Sequence, residues 1–196
     1  MLNVQDILDA EARAVRAIPA DNPFEPAVQC FLASARAGGK VVVSGVGKAG
    51  GVGAKIATTL CSVGVPSIFL HPLEAQHGDL GVLGVHDCLL LVSNSGKTRE
   101  VVELVHLARR LHPDVRIITI TGRRGSELAV SSDLVLWTGD PAEVCPLGLA
   151  PTTSTTVMSV IGDVLTVLAV QLGGFTRRDY ALRHHGGYLG AVAKLG

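Results

Sequence analysis

The stretch Leu89-Leu90-Leu91-Val92-Ser93-Asn94-Ser95-Gly96-Lys97-Thr98-Arg99-Glu100 runs from an apolar segment straight into a cluster of small hydroxyl residues. Apolar side chains at every position from Leu89 to Val92 leave no face for solvent. That is the pattern of a strand in a parallel sheet covered by helices on both sides. From Thr98 to Leu111 the apolar residues recur at helical spacing, so the hydroxyl cluster is the turn between a buried strand and a helix.

The same alternation extends in both directions. Short β-branched runs at Lys40–Ser44, Pro66–Leu70, Cys88–Ser93, Val115–Thr121 and Leu134–Leu136 each end in a polar or glycine-rich turn. Helices are predicted between and after them at Gly51–Ser62, Thr98–Leu111, Ser126–Ala129 and Thr155–Leu172. Ahead of the first strand, Val4, Ile7, Leu8, Val15 and Ile18 mark a helix stopped by Pro19, and a second helix spans Pro26–Ala37. The expected fold is α/β: a doubly wound, mostly parallel sheet of about five strands flanked by helices, flavodoxin-like or Rossmann-like. A single domain is expected, with N-terminal helices over 1–38, an α/β core over 39–175 and a tail over 176–196.

The hydroxyl turn is the first chemical feature. Ser93, Asn94, Ser95 and Thr98 gather where the free N–H groups of a helix start converge, and Gly96 lets an anion approach the backbone. A phosphate cradle is the reading, rather than an ordinary Ser/Thr helix cap. A second turn, Ser44-Gly45-Val46-Gly47-Lys48-Ala49-Gly50, contains G-x-G-x-x-G, but the next strand ends Phe69-Leu70-His71-Pro72 without the carboxylate that would hold a ribose. No dinucleotide cofactor is therefore expected. Ser44 joins the phosphate-binding candidates, and Lys48 is read as a cation facing a phosphorylated or enediolate substrate. His77 lies in a polar loop and is suited to a sugar hydroxyl or to proton transfer near neutral pH. Glu143 stands beside an apolar, proline-rich segment, where a raised pKa and a general base for enolisation are expected. His184 and His185 are adjacent imidazoles without zinc spacing, so no metal is expected.

Composition removes other classes. The 196 residues carry 17 basic and 17 acidic side chains, and no basic patch that would track a nucleic-acid backbone. No apolar run is read as reaching the roughly 18 to 20 residues of a membrane span. Asp6, Asp9 and Glu11 near the start are unlike a signal peptide, so a cytoplasmic protein is expected. The cysteines Cys30, Cys61, Cys88 and Cys145 have no metal-ligand spacing and are expected as buried free thiols.

Taken together, Gly45-Val46-Gly47-Lys48, His77-Gly78-Asp79-Leu80-Gly81, Ser93-Asn94-Ser95-Gly96, Ile120-Thr121-Gly122, Cys145-Pro146-Leu147-Gly148-Leu149-Ala150-Pro151-Thr152 and Ala181-Leu182-Arg183-His184 resemble the sugar isomerase (SIS) domain of the D-arabinose-5-phosphate isomerase family. The resemblance covers Val41 to Gly190. It implies interconversion of D-arabinose 5-phosphate and D-ribulose 5-phosphate through a cis-enediolate, towards Kdo and lipopolysaccharide, without a cofactor. The polar active-site set it implies falls on Lys48, His77, Glu100, Glu143 and His184, with Glu143 as base, Lys48 as electrostatic stabiliser and Glu100 positioning others. A homo-oligomer, a tetramer, is expected, with His184 reaching a neighbouring subunit's site. Three positions depart from the family pattern: Ala49 replaces a serine, Lys97 an acidic residue and His185 a proline. The family commonly continues into paired CBS modules, and regulation through them is not expected here. Rival expectations are a hexulose-phosphate type isomerase and a non-catalytic sugar-phosphate or nucleotide-sugar sensor.

Overall fold

The computed structural model describes residues 2–185 together with Tyr188 and Val192. Strands β1 (Val41–Gly45), β2 (Ser67–Phe69), β3 (Cys88–Val92), β4 (Arg116–Thr121) and β5 (Leu134–Trp137) form one parallel sheet in the order β2-β1-β3-β4-β5. The expected doubly wound α/β fold is therefore found. Alternate strand residues serve opposite faces. Val41, Val43, Leu90, Val92, Ile118 and Ile120 pack beneath α2 (Phe24–Arg36), α3 (Gly47–Ser62) and α7 (Thr153–Gly173). Val42, Leu89, Leu91 and Ile117 pack beneath α4 (Pro72–Ala75) and α5 (Arg99–Leu111). Two apolar faces explain the unbroken hydrophobic runs.

Three further helices complete the order: α1 (Val4–Arg16), α6 (Glu127–Val130) and α8 (Arg177–Arg183), with a 3-10 turn at Asp79–Val82. Helix α1 opens with a capping box in which Asn3 and Asp6 exchange side-chain and backbone bonds. Its outer apolar residues Val4 and Leu8 stay 74% and 57% exposed, which leaves an uncovered apolar stripe on the molecule. At the end of the sheet opposite the loops that follow the strands, the Asp87 carboxylate is buried. It accepts from the Lys40 N–H (2.8 Å), the Lys40 ammonium (2.7 Å) and the Gly84 N–H (2.7 Å), tying the starts of β1 and β3 together.

Three expectations need correction. Helix α3 begins at Gly47, not Gly51, because the glycine-rich segment is itself the first helical turn. A Cβ at Gly50 would stand 2.7 Å from the Gly45 carbonyl oxygen, so the glycines set how closely this turn lies on β1. Helix α7 also exceeds its expected apolar length. Its 21 residues are long and apolar enough to span a bilayer by composition, yet Val157, Met158, Ile161, Leu165 and Ala169 are buried in the core. Of the thiols, all of them free, Cys88 is buried, but Cys61 is exposed and Cys30 and Cys145 are intermediate.

Candidate active site

In an open parallel sheet, ligands bind beyond the C-terminal strand ends where the strand order reverses, here between β1 and β3. A cleft of about 430 Å³ lies at that point. Its walls come from the starts of three helices: Lys48 and Ala49 from α3, Thr98 at the cap of α5, and Ser154 and Thr155 from α7. Each helix N-terminus carries roughly half a positive charge from its aligned peptide dipoles and orphan N–H groups. Such ends favour an anion in the cleft, and the one at α7 is taken by the Glu143 carboxylate. Lys48 adds a full charge where a cation is unfavourable for the helix, which is explicable if an anion sits opposite.

The turn after β3 supplies the cradle. Ser93 and Thr98 hydroxyls lie 3.1 Å apart, and Ser93 and Ser95 Oγ accept from the Gly96 and Lys97 N–H groups, both at 3.2 Å. The Thr98 side chain makes no capping bond to its own helix, so it is not spent on the ordinary cap. Gly96 has φ +60, and a Cβ there would collide with the Ser126 side chain, which requires glycine at this turn. Ser93, Asn94, Ser95 and Thr98 all line the cleft.

Glu143 enters from the loop after β5. Its Oε2 accepts from the backbone N–H groups of Thr152 (2.8 Å), Thr153 (2.8 Å) and Ser154 (3.4 Å), so it clamps the N-terminus of α7. The expected raised pKa is not found. Burial pushes it up, but the Ser154 hydroxyl and the backbone N–H groups of Thr152, Ser154 and Thr153 outweigh burial and hold the carboxyl below the usual range. The apolar neighbours are visible in the sequence, and the donors are not.

Other sequence candidates lie outside this cleft. Ser44 is wholly buried and donates to the Leu70 carbonyl (2.6 Å), joining β1 to the end of β2. Glu100 is in the first turn of α5, half-buried, and His77 is exposed in the loop after α4. His184 caps the C-terminus of α8, its ring stacked on Tyr180 at 3.7 Å and its Nδ1 3.0 Å from the Tyr180 carbonyl. Helix α7 leads away from the cleft for 21 residues, roughly 30 Å at the helical rise. Helix α8, which follows it, returns too little of that distance, since 7 residues span only about 10 Å. Gly186 and Gly187 of the implied tail motif lie outside the described residues.

One residue was missed in the sequence. Glu11 on α1 accepts from the Thr153 hydroxyl (2.8 Å), which in turn accepts from the Val144 N–H (3.0 Å). Its other oxygen is buried without a partner among the described residues. No local pattern could signal a bond across 142 positions. Among the described residues no group of three His, Cys, Asp or Glu is placed to hold a metal.

The sequence that forms this cleft falls within a stretch matched by a family model. The SIS domain model covers residues 35–168. The chain belongs to the SIS domain family. Arabinose 5-phosphate isomerase KdsD of Escherichia coli K12 is 49% identical over 152 residues, 78% of this chain and 46% of that protein. The chain thus spans about half the length of the curated relatives it matches. A Bacteroides fragilis structure, considered a phosphosugar isomerase involved in capsule formation, is 56% identical with a TM-score of 0.92, covering 94% of this SIS chain and 97% of that one. An Escherichia coli CFT073 protein solved in complex with arabinose 5-phosphate is 35% identical with a TM-score of 0.83, covering 93% and 100%.

Proposed function

We propose that this chain is an aldose-ketose isomerase acting on a pentose 5-phosphate, interconverting D-arabinose 5-phosphate and D-ribulose 5-phosphate. The observation that carries the reading is the meeting of a phosphate cradle, Lys48 and Glu143 in one cleft. The name of the KdsD relatives and the arabinose 5-phosphate complex of the Escherichia coli CFT073 protein support the choice of sugar.

The phosphate occupies the cradle of Ser93, Asn94, Ser95 and Thr98, fixing the far end of the sugar. Glu143 removes the proton from the carbon next to the carbonyl. The electron pair passes to the carbonyl oxygen and gives a cis-enediolate; a proton then moves from the hydroxyl oxygen to the former carbonyl oxygen, and the carbon-bound proton is returned to the former carbonyl carbon as the new carbonyl forms. Lys48 stabilises the oxyanion as its charge develops. His77 and His184 donate protons or anchor hydroxyls, and Glu100 positions other groups.

The depressed pKa of Glu143 fits this role once substrate is included. A carboxylate clamped by N–H groups is ionised and ready to accept a proton, but it is a weak base. A phosphate dianion entering the same cleft disfavours a second negative charge and raises the Glu143 pKa towards the useful range. Substrate binding strengthens the base.

Because α7 and α8 carry His184 to the far end of its own subunit, we assign it to the cleft of a second copy in a homo-oligomer, a tetramer. The uncovered apolar residues of α1, and Val167 on α7 at 56% exposure, supply surface for that assembly. Such an enzyme would work in the cytoplasm on the route to Kdo and lipopolysaccharide. Incubation with D-arabinose 5-phosphate, followed by proton NMR, tests the activity. Appearance of ribulose 5-phosphate is expected, and a folded protein with no turnover defeats the proposal.

A further inference from the structure

Beside the cleft, and sharing Ser95 and Arg123 with it as a common wall, lies a second open pocket of about 510 Å³. It is built from the turn after β3 (Ser95, Lys97), the turn after β4 (Gly122 to Ser126) and the end of β5 (Trp137, Asp140). Its charge is lopsided. Lys97, Arg123 and Arg124 face one carboxylate, Asp140, which pairs with Arg123 at 2.5 Å. Neither Lys97 nor Arg124 forms an ion pair among the described residues.

The arrangement is also held in place. The indole Nε1–H of Trp137 donates to the Gly122 carbonyl at 2.9 Å, which fixes the ring. The Arg124 guanidinium lies 4.3 Å from that ring's centroid, so its flat fork is supported on an aromatic face and its N–H edge is not spent on a carboxylate. Asp140 adopts a left-handed backbone (φ 53) that few residues accept, and this conformation accompanies its bond to Arg123. Lys97 places a further positive charge at the rim of this pocket. Three cations against one carboxylate leave two positive charges, the complement of a phosphate dianion.

We infer that this pocket is a second phosphoryl subsite, and that a sugar bisphosphate binds with one phosphoryl group in the Ser93–Thr98 cradle and the other against Lys97 and Arg124. The inference rests on the reading of the cradle as the substrate phosphate site. Such a ligand occupies the cradle and excludes the monophosphate substrate, making the enzyme sensitive to a doubly phosphorylated sugar.

Trp137 is the only tryptophan in the chain, so its fluorescence reports on this pocket directly. Titrations with ribulose 1,5-bisphosphate, ribulose 5-phosphate and inorganic pyrophosphate at constant ionic strength provide the test, for the wild type and for Arg124→Ser. The bisphosphate is expected to shift the emission and to compete with the monophosphate while binding about tenfold to hundredfold tighter. Arg124→Ser, which lies outside the cleft, should lose most of that advantage and keep monophosphate turnover. A bisphosphate that binds no tighter than the monophosphate overturns the inference, whether or not the monophosphate binds. Equal tightening by pyrophosphate, which has no sugar to place between two sites, also overturns it. Failure of the monophosphate to bind would instead refute the cradle.

Discussion

Replacing Glu143 by glutamine separates its two roles, because Gln keeps an oxygen that can accept from Thr152 and Thr153 but loses the charge and the basicity. In the native protein the carboxylate stabilises α7 by accepting those two bonds at 2.8 Å and by placing a negative charge at the positive helix end. The charge at a partly exposed helix terminus contributes about 0.3 to 1 kcal/mol, reduced further by solvent screening. In a chain of this size about 1 kcal/mol moves Tm by about 2 to 4 °C. The expected loss of Tm for Glu143→Gln is therefore no more than about 4 °C. A proton-transfer group is worth about 10²- to 10⁴-fold in rate. The two magnitudes differ enough to decide. Thermal unfolding by circular dichroism is measured beside arabinose 5-phosphate turnover by NMR at about 25 °C, where both proteins are folded. Turnover within about tenfold of wild type would refute the role of Glu143 as base. A Tm loss above about 10 °C alongside the lost activity would show that clamping α7 accounts for the effect.

Further outcomes follow from the same geometry. The pH profiles of kcat/KM and kcat should differ: the acid limb of kcat/KM, which reports the free enzyme, lies below the ordinary glutamate range, and the limb of kcat lies higher because bound phosphate raises the Glu143 pKa; coincident limbs contradict this. The same depressed pKa makes Glu143 a stabilising group that is fully effective above about pH 4.3 and lost as the pH falls through its lower folded value, so Glu143→Gln should narrow its stability gap to wild type in acid. Ser95→Ala and Thr98→Ala should each weaken substrate binding about tenfold to hundredfold with an intact fold, read by titration calorimetry. Mixing inactive His184→Ala with inactive Glu143→Ala should restore activity in hybrid oligomers, and no recovery despite proven subunit exchange would place His184 elsewhere.

What could be read along the chain was whatever depends on near neighbours. The doubly apolar runs, the turn glycines and the helical spacing placed all five strands, with ends within about two residues. The hydroxyl turn from Ser93 to Thr98 was legible because a helix start and its cap are neighbours in sequence. Lys48 was legible for the same reason. Tertiary structure decided the rest. What a hydroxyl is bound to depends on what lies across the fold: Ser44 is taken by a carbonyl 26 positions away, whereas Thr98 makes no capping bond and meets the Ser93 hydroxyl in the cleft. Apolar neighbours in sequence suggested a raised pKa for Glu143, but the folded chain brings donors from nine to eleven positions away and reverses the sign. His184 follows α7 and α8 in sequence, yet the rigid length of α7 carries it to the end of the fold away from the cleft. Glu11 and the Trp137–Arg124 pocket gave no signal at all, because hydrogen bonds and charge fields act over ångströms in space and the sequence records only the order of residues.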